Sequence, residues 1–534
     1  MTVASKYWDK RGNKGPGGPW DTIVVGSGMG GMTAAALLAM SGQKVLVLEQ
    51  HYEPGGFTHT FKRPGGYVWD VGVHAIGEVT HHSMTGRLLS LMSRDQLEWT
   101  SLGRTYESFH FPDLEFSFPD DPRDFRASLI DLFPDEERAI DAYFELVREV
   151  AGAMRRHYMG TIAPGRLGRV TAGLMSRAAR AFFERTADDV LRDITDNPRL
   201  RAILCAQWGY YGVPPEQASF AMQALVTKHY LHGAYYPVGG SQRIAETLLA
   251  TVAAHGGWTR ISTPVDSIEV KKGRAVGVHV GEEFIPAKRV VSAVGAQATS
   301  RRLLAPEHRD ARWGAAVEEL EPAAAHVCAY LGFKGDIRAH GASGANEWFY
   351  DTWDQTVAAW DVHPDRPITS RAPVLYCSFP SLKDPTHDPG PDHQHTGEVV
   401  TFVPYSSFAR WEGSRWKKRA EEYDRFKLEL QDRMLAQFFE AMPQLEPLVD
   451  VVEFSTPVTT THFDRAIGGS IYGAAATPAR FSNAQLRPTT PITDLYLAGC
   501  DVSAPGVIGA MFGGVLAATA ASPKGVGGLL RQVM

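Results

Sequence analysis

Gly26, Gly28 and Gly31 stand directly after the β-branched run 21–25 and open the Ala/Leu-rich stretch 32–40. At this spacing each glycine has a definite task. The first permits a tight turn out of a strand. The second lets backbone approach a pyrophosphate with no Cβ in the way, and the third lets helix and strand pack closely. The start of that helix, at Met29 and Gly30, offers free N–H groups and a positive dipole end to the phosphates. Glu49 falls 23 residues after Gly26, at the end of a second apolar run, 44–49. A carboxylate there accepts hydrogen bonds from ribose hydroxyls and repels a 2′-phosphate. Strand, glycines, helix, strand and terminal acid together predict a Rossmann-type β-α-β unit that binds a dinucleotide.

Two further clusters point to FAD rather than NAD. Gly55-Gly56 follows Glu49 by six residues and leads to Asp70-Val71-Gly72-Val73-His74. A glycine pair there lets the chain pass close to an extended cofactor. Near the other end, residues 495–499 read as a strand ending in Gly499. Asp501 follows, and then Gly506, Gly509 and Gly513-Gly514 at the start of a helix. Asp501 suits a ribityl hydroxyl. Backbone N–H groups at that helix start would face the flavin edge where negative charge develops on reduction. With one complete fingerprint, a separate nicotinamide domain is not evident.

These groups need a scaffold larger than one core, and 534 residues predict two domains. Residues 135–157 and 417–442 read as helices; 265–280 and 284–294 read as strands with turns at Lys272-Gly273 and Gly281-Glu282. Residues 1–20 are polar and Gly/Pro-rich and read as a loose arm. Residues 504–521 carry no charge and nearly reach bilayer-spanning length. They are rich in Ala and Gly, which predicts a buried, closely packed helix instead. A balance of 54 basic to 60 acidic residues gives no basic field, so nucleic acid is not an expected partner. Cys205, Cys328, Cys377 and Cys500 are scattered, which fits a reducing cytoplasm. His387, His393 and His395 lie in a Pro/Asp loop without metal-ligand spacing, so no metal is expected. Between Met154 and Arg185 the net charge of −6 conceals a basic patch. Arg155, Arg156, Arg166, Arg169, Arg177, Arg180 and Arg185 stand against Glu184 alone. They interleave with Leu167, Val170, Leu174, Met175, Ala178, Phe182 and Phe183. That pattern predicts a membrane-associating helix over 166–185, peripheral on the inner face of an anionic bilayer.

Taken together, these motifs resemble the flavoprotein family of phytoene desaturases, carotenoid isomerases and retinol saturases. The likeness covers most of the chain. It runs through Pro54-Gly55-Gly56, His59-Thr60-Phe61, Gln207-Trp208-Gly209-Tyr210-Tyr211-Gly212 and Tyr235-Tyr236-Pro237. It ends in Tyr472-Gly473 and Gly499-Cys500-Asp501. The HTF, VGVH and YYP-x-GG elements are nearest the retinol-saturase branch. Phe57-Thr58 stand where that branch tends to carry a cysteine pair. The resemblance implies an α/β fold of amine-oxidase or phytoene-desaturase type: a discontinuous Rossmann-type FAD-binding domain with an inserted α+β substrate domain. FAD binding is assigned to 21–80, 232–305 and 456–534, and substrate binding to 81–231 and 306–455. It implies cofactor contacts from Gly26, Gly28, Met29, Gly30, Gly31, Glu49, Gln50, Gly55, Gly56, Phe57, Val265, Gly499, Asp501, Gly506, Val507 and Ile508.

The chemistry implied is saturation or cis–trans isomerisation of a C=C bond in an apolar polyene or isoprenoid lipid. Desaturation, flavin amine oxidation and non-catalytic lipid binding stand as alternatives, and the external electron donor or acceptor is unknown. Such a substrate calls for a long aromatic pocket, for which Trp208, Tyr210, Tyr211, Tyr230 and Tyr236 are candidates. A proton donor is needed opposite the flavin; the candidates are His74, then Tyr472 and Tyr235.

Overall fold

The computed structural model describes residues 7–9, 15–161, 170, 173–175 and 177–533. The run 20–25 forms the strand Trp20–Val25 inside a parallel sheet. Val45–Leu48, Trp258–Arg260 and Trp8–Asp9 follow on one side. The end of Glu283–Ser292 and then Leu495–Leu497 follow on the other. Ile23, Val24, Val45 and Val47 are wholly buried, as expected of parallel strands covered on both faces. Glu283–Ser292 does double duty. Its first half pairs antiparallel with Arg274–Val280, which pairs in turn with Ser267–Lys271.

The loose-arm reading of 1–20 is corrected at Trp8–Asp9, which forms the edge strand: Trp8 pairs with Thr259 and is buried. Two residues carry no periodic pattern, so the sheet edge alone makes them a strand. Residues 1–6 and 10–14 of that arm lie outside the described residues.

The helix Met29–Met40 crosses the helix Gly506–Ala521 at close range. A Cβ on Gly30 would sit 2.5 Å from Gly499 Cα, and one on Gly514 would sit 2.3 Å from the Gly30 carbonyl oxygen. This contact explains why the uncharged C-terminal helix is built from small residues. Among the described residues, no helix is long and apolar enough to cross a membrane.

A second, mostly antiparallel sheet of seven strands runs Val449–Ser455, Ala325–Lys334, Gln394–Val403, Val374–Ser378, Asn346–Tyr350, Thr105–Phe111, Leu114–Pro119. Glu137–Thr161 and Phe220–Tyr230 belong to one core beside it, and Glu421–Ala441 to another. The hairpin Thr60–Lys62/Val68–Asp70 joins the two halves. Tyr67 and Trp69 pack against Cys328 and Tyr330, and Trp69 Nε1 donates to the Leu331 carbonyl at 2.9 Å. This docking carries Asp70 and His74 from the first half against the second sheet.

Candidate active site

The carboxyl ends of the parallel strands open onto a cleft of about 420 Å³, the usual ligand position in such sheets. At its near end a Cβ on Gly28 would meet nothing within 4 Å. The first turn of Met29–Met40 has no side-chain cap, which leaves its amides to a phosphate. Glu49 is buried. Its Oε2 accepts from Ser27 N at 2.8 Å and Ser27 Oγ at 2.7 Å, and its Oε1 accepts from His51 N at 2.8 Å. A carboxylate offers about four acceptor positions, so capacity remains on Oε1 for a ribose hydroxyl. Thr263 N donates to the Glu49 carbonyl at 2.8 Å, which brings Val265 to the cleft wall. Gly56 has φ +55°, and a Cβ there would lie 2.9 Å from Gly28 Cα. The glycine pair is thus pressed against the fingerprint. At the far end Asp501 accepts from Ala296 N at 2.8 Å and Ala474 N at 3.0 Å, tying three distant segments into one wall.

Of the residues expected here, Gly26, Gly28, Met29, Gly30, Glu49, Gln50, Gly56, Phe57, Val265, Gly499, Asp501, Gly506 and Val507 line the cleft. Gly31, Gly55 and Ile508 lie behind its surface. A Cβ on Gly31 would strike the Gly26 carbonyl oxygen at 2.1 Å, Gly55 N bonds Ser27 Oγ at 3.1 Å, and Ile508 packs into the helix core.

Phe57, Gly72, Ile471 and Tyr472 line both this cleft and an inner cavity of about 80 Å³. The inner walls include His74, Tyr210, His326, Trp348, Tyr376 and Phe402. Behind them lies a buried polar cluster. Lys383 Nζ donates to the His74 carbonyl at 2.8 Å, to Ser378 Oγ at 2.7 Å and to Asn346 Oδ1. Glu398 Oε1 accepts from Asp70 N at 2.9 Å. Its Oε2 lies 2.9 Å from His74 Nδ1, off the hydrogen-bond axis, and neither atom has another partner. Glu107 accepts from Tyr210 Oη, Trp348 Nε1 and Asn346 Nδ2, the last at 3.0 Å. Asp70 accepts from Ser241 Oγ and from Tyr236 Oη, the latter at 2.6 Å.

Burial disfavours charge throughout this cluster. It pushes Glu398 up to about 8, against the pull of Lys383. Asp70 rises to about 6 through burial and the neighbouring Glu398. His74 falls to about 3 through burial and the Lys383 ammonium. Glu107 is raised by burial although three donors face it, and Lys383 is lowered by burial although carboxylates surround it. At neutral pH the proton near His74 therefore sits on Glu398, and the imidazole is neutral.

The structure brings His74 and Tyr472 to the inner cavity but leaves Tyr235 outside both spaces, in a strand paired with Trp99–Ser101. Of the expected aromatic wall, only Tyr210 faces the cavity. Tyr230 supports it from behind at 5.0 Å between rings, and Trp208 backs Phe402 at 5.2 Å. Tyr211 bonds Gln223 at 2.7 Å in the core, and Tyr236 serves Asp70. Sequence reasoning missed Glu107, Glu398 and Lys383. The two acids had a faint signal, each being the single carboxylate in its strand. Lys383 had none: it ends the short helix Pro380–Lys383, for which no pattern was read.

A parallel sheet with a glycine turn, a terminal ribose acid and a second glycine-rich helix closing one long cleft define an FAD-dependent oxidoreductase. A family model described as flavin containing amine oxidoreductase matches residues 29–522, and the chain belongs to that family. The expected likeness to the retinol-saturase branch holds. The chain is 32% identical to all-trans-retinol 13,14-reductase of Danio rerio over 92% of its own length and 84% of that protein's. It is 26% identical to prolycopene isomerase 2 of an Oncidium hybrid cultivar, over 93% and 83%. Among solved structures, cyclohexylamine oxidase of Brevibacterium oxydans has the same fold. Its TM-score is 0.61 at 19% identity, covering 96% of this chain and 99% of that one. The amine-oxidase alternative calls for a lysine-assisted water. The buried Lys383 is spent on three protein acceptors and does not line the inner cavity.

Proposed function

We propose that the protein reduces or isomerises a C=C bond of a long apolar polyene of retinoid or carotenoid type. The observation that carries this reading is the aromatic inner cavity, which shares Phe57 and Tyr472 with the cofactor cleft. The conjugated chain of a polyene offers no polar handle, so the site around its double bond must hold it by shape and aromatic contact. The names of the relatives above support the same substrate class. When bound, FAD supplies hydride exchange with an alkene carbon. Phe57 and Tyr472 position the double bond against it, and Tyr210, Trp348 and Phe402 exclude water. Glu398 holds a proton 2.9 Å from His74 Nδ1; a rotation of either side chain would close that hydrogen bond, pass the proton to Nδ1 and release the Nε2 proton to the other alkene carbon. Net saturation needs an external electron donor, desaturation needs an acceptor, and isomerisation needs neither. The test is incubation of the holoenzyme with retinoids and carotenoids under reducing and oxidising conditions, followed by product mass. A gain of two hydrogens is expected, or unchanged mass with altered geometry. Unreacted polyenes under both conditions, with turnover of a primary amine, overturn the reading.

We further infer that the substrate is drawn from a membrane surface. Within the expected helix 166–185, residues 166–169, 171–172 and 176 lie outside the described residues. In the remainder Val170, Leu174 and Met175 are exposed large apolar side chains and Arg177 and Arg180 are exposed; Met159, Arg155 and Arg156 are exposed near the end of the preceding helix Glu137–Thr161. Phe183, by contrast, turns into the core. Arginines flanking exposed apolar residues suit an anionic bilayer. Replacing Arg155, Arg156, Arg177 and Arg180 by Gln should cut co-sedimentation with phosphatidylserine vesicles at low salt by about tenfold or more, at roughly 1 kcal/mol per charge. Undiminished binding disposes of the surface.

A further inference from the structure

A third cavity, of about 190 Å³, opens at the surface beside the cofactor cleft. Phe57, Val71 and His326 line both it and the inner cavity. The two cavities therefore adjoin across these three side chains. The outer chamber differs in chemistry from the inner one. Its walls are aromatic, but Arg63, Lys417, Arg419 and Lys427 also reach it. Arg63 is spent on Glu453, through contacts of 3.0 and 3.2 Å. Among the described residues the others make no close ion pair, although Glu453 attracts Lys417 and Lys427 from farther off and Asp424 attracts Lys427. Arg419 donates to three neutral oxygens, the Val458 carbonyl at 3.0 Å, Ser414 Oγ at 3.1 Å and Tyr423 Oη at 3.4 Å. Lys417 lies over the Trp416 ring at 4.6 Å. Lys427 is half-buried and makes no ion pair or hydrogen bond among the described residues, and burial pulls its ammonium down. On the acidic side the chamber holds Glu453, the exposed Asp424, and Asp464, which burial and Glu49 push up to about 7. A positive surplus remains at the mouth of an aromatic chamber.

We propose that this outer chamber seats an oxyanion, a carboxylate or a phosphate, at the end of the polyene, with Lys417, Arg419 and Lys427 as its partners. The apolar chain would then run past Phe57 and Val71 and place its double bond in the inner cavity. Four cations face Glu453 and Asp424 here, and a ligand anion would balance the surplus around the half-buried Lys427. The volume argues against a nucleotide reductant in the same place. A nicotinamide dinucleotide is close in size to FAD, whose cleft is about 420 Å³, more than twice the outer chamber. The proposal rests on the polyene reading above and adds a head group to it.

The experiment is equilibrium dialysis of the holoenzyme at low salt against one polyene chain carrying four different ends: carboxylate, phosphate, alcohol and methyl. The carboxylate or the phosphate form should bind at least ~10-fold tighter than the methyl form, the worth of one charge-assisted pair. The tighter of the two anions identifies the head group. In Lys417→Met/Lys427→Met that ratio should fall below about threefold. Because the ratio is taken within one protein, partial loss of folding cannot imitate the result. As a second measurement, raising salt should weaken the anionic forms alone. Equal binding of all four ends, or an undiminished ratio in the double variant, overturns the head-group site and leaves the polyene reading standing. Failure of every form to bind overturns both.

Discussion

Replacing Glu49 by arginine should give a soluble chain that leaves gel filtration without its yellow colour. Glu49 holds two donors of Ser27 and the His51 amide from a buried position, 7% exposed. Arginine has no acceptor, so these donors lose their partner at about 1–3 kcal/mol for each one left buried and unsatisfied. The guanidinium would also occupy the ribose end of the cleft and remove the charge-assisted bond there. The combined effect on FAD affinity is at least ~100-fold, since 1.4 kcal/mol is tenfold. The sheet itself is untouched, because the Glu49 backbone pairs with Arg260 and Thr263 whatever its side chain. The readout is the ratio of flavin to protein absorbance in the eluted peak. Glu49→Gln keeps one carbonyl acceptor and should fall between the two. An arginine variant as yellow as the parent sinks the assignment.

Lys383→Met should cost stability in a manner that depends on pH. Lys383 is the cation among Asp70, Glu107 and Glu398, and removing one side of a buried charge cluster costs about 3–5 kcal/mol. The sign follows from linkage. Glu398 stands at about 8 in the folded chain against 4.5 ordinarily, so the folded state holds the extra proton between those values. A folded state that binds more protons loses stability as pH rises. Without Lys383 the carboxyl groups rise further and the loss steepens. The deficit of the variant relative to the parent should be largest near pH 8. It should shrink towards pH 5, where protonated acids no longer need the ammonium. Denaturant unfolding of both holoproteins at the two pH values decides this. The same deficit at both means that Lys383 acts by packing, not by charge.

The sequence by itself determined the cofactor half. Gly26 to Glu49 is local: one turn, one helix and two strands, each carrying its own pattern, so the turn chemistry and the ribose acid were legible together. The distant Gly499-Cys500-Asp501 and Gly506 group was also legible, because close backbone approach to a cofactor demands glycine and leaves it visible. The reacting half was not. His74 and Tyr472 were found as neighbours of glycine motifs, but the cluster behind them comes from Thr105–Phe111, Val374–Ser378, Lys383 and Gln394–Val403, which meet only across the second sheet. A buried Glu in one strand, or a Lys at the end of one short helix, cannot announce a partner that lies far off in the chain. Only the tertiary structure, by docking the Trp69 hairpin onto Leu331 and so delivering Asp70 and His74 to Glu398, decided where protons are held. The reason is physical. Backbone conformation is written in short-range pattern, whereas a buried charge is stable only through partners that the fold itself brings.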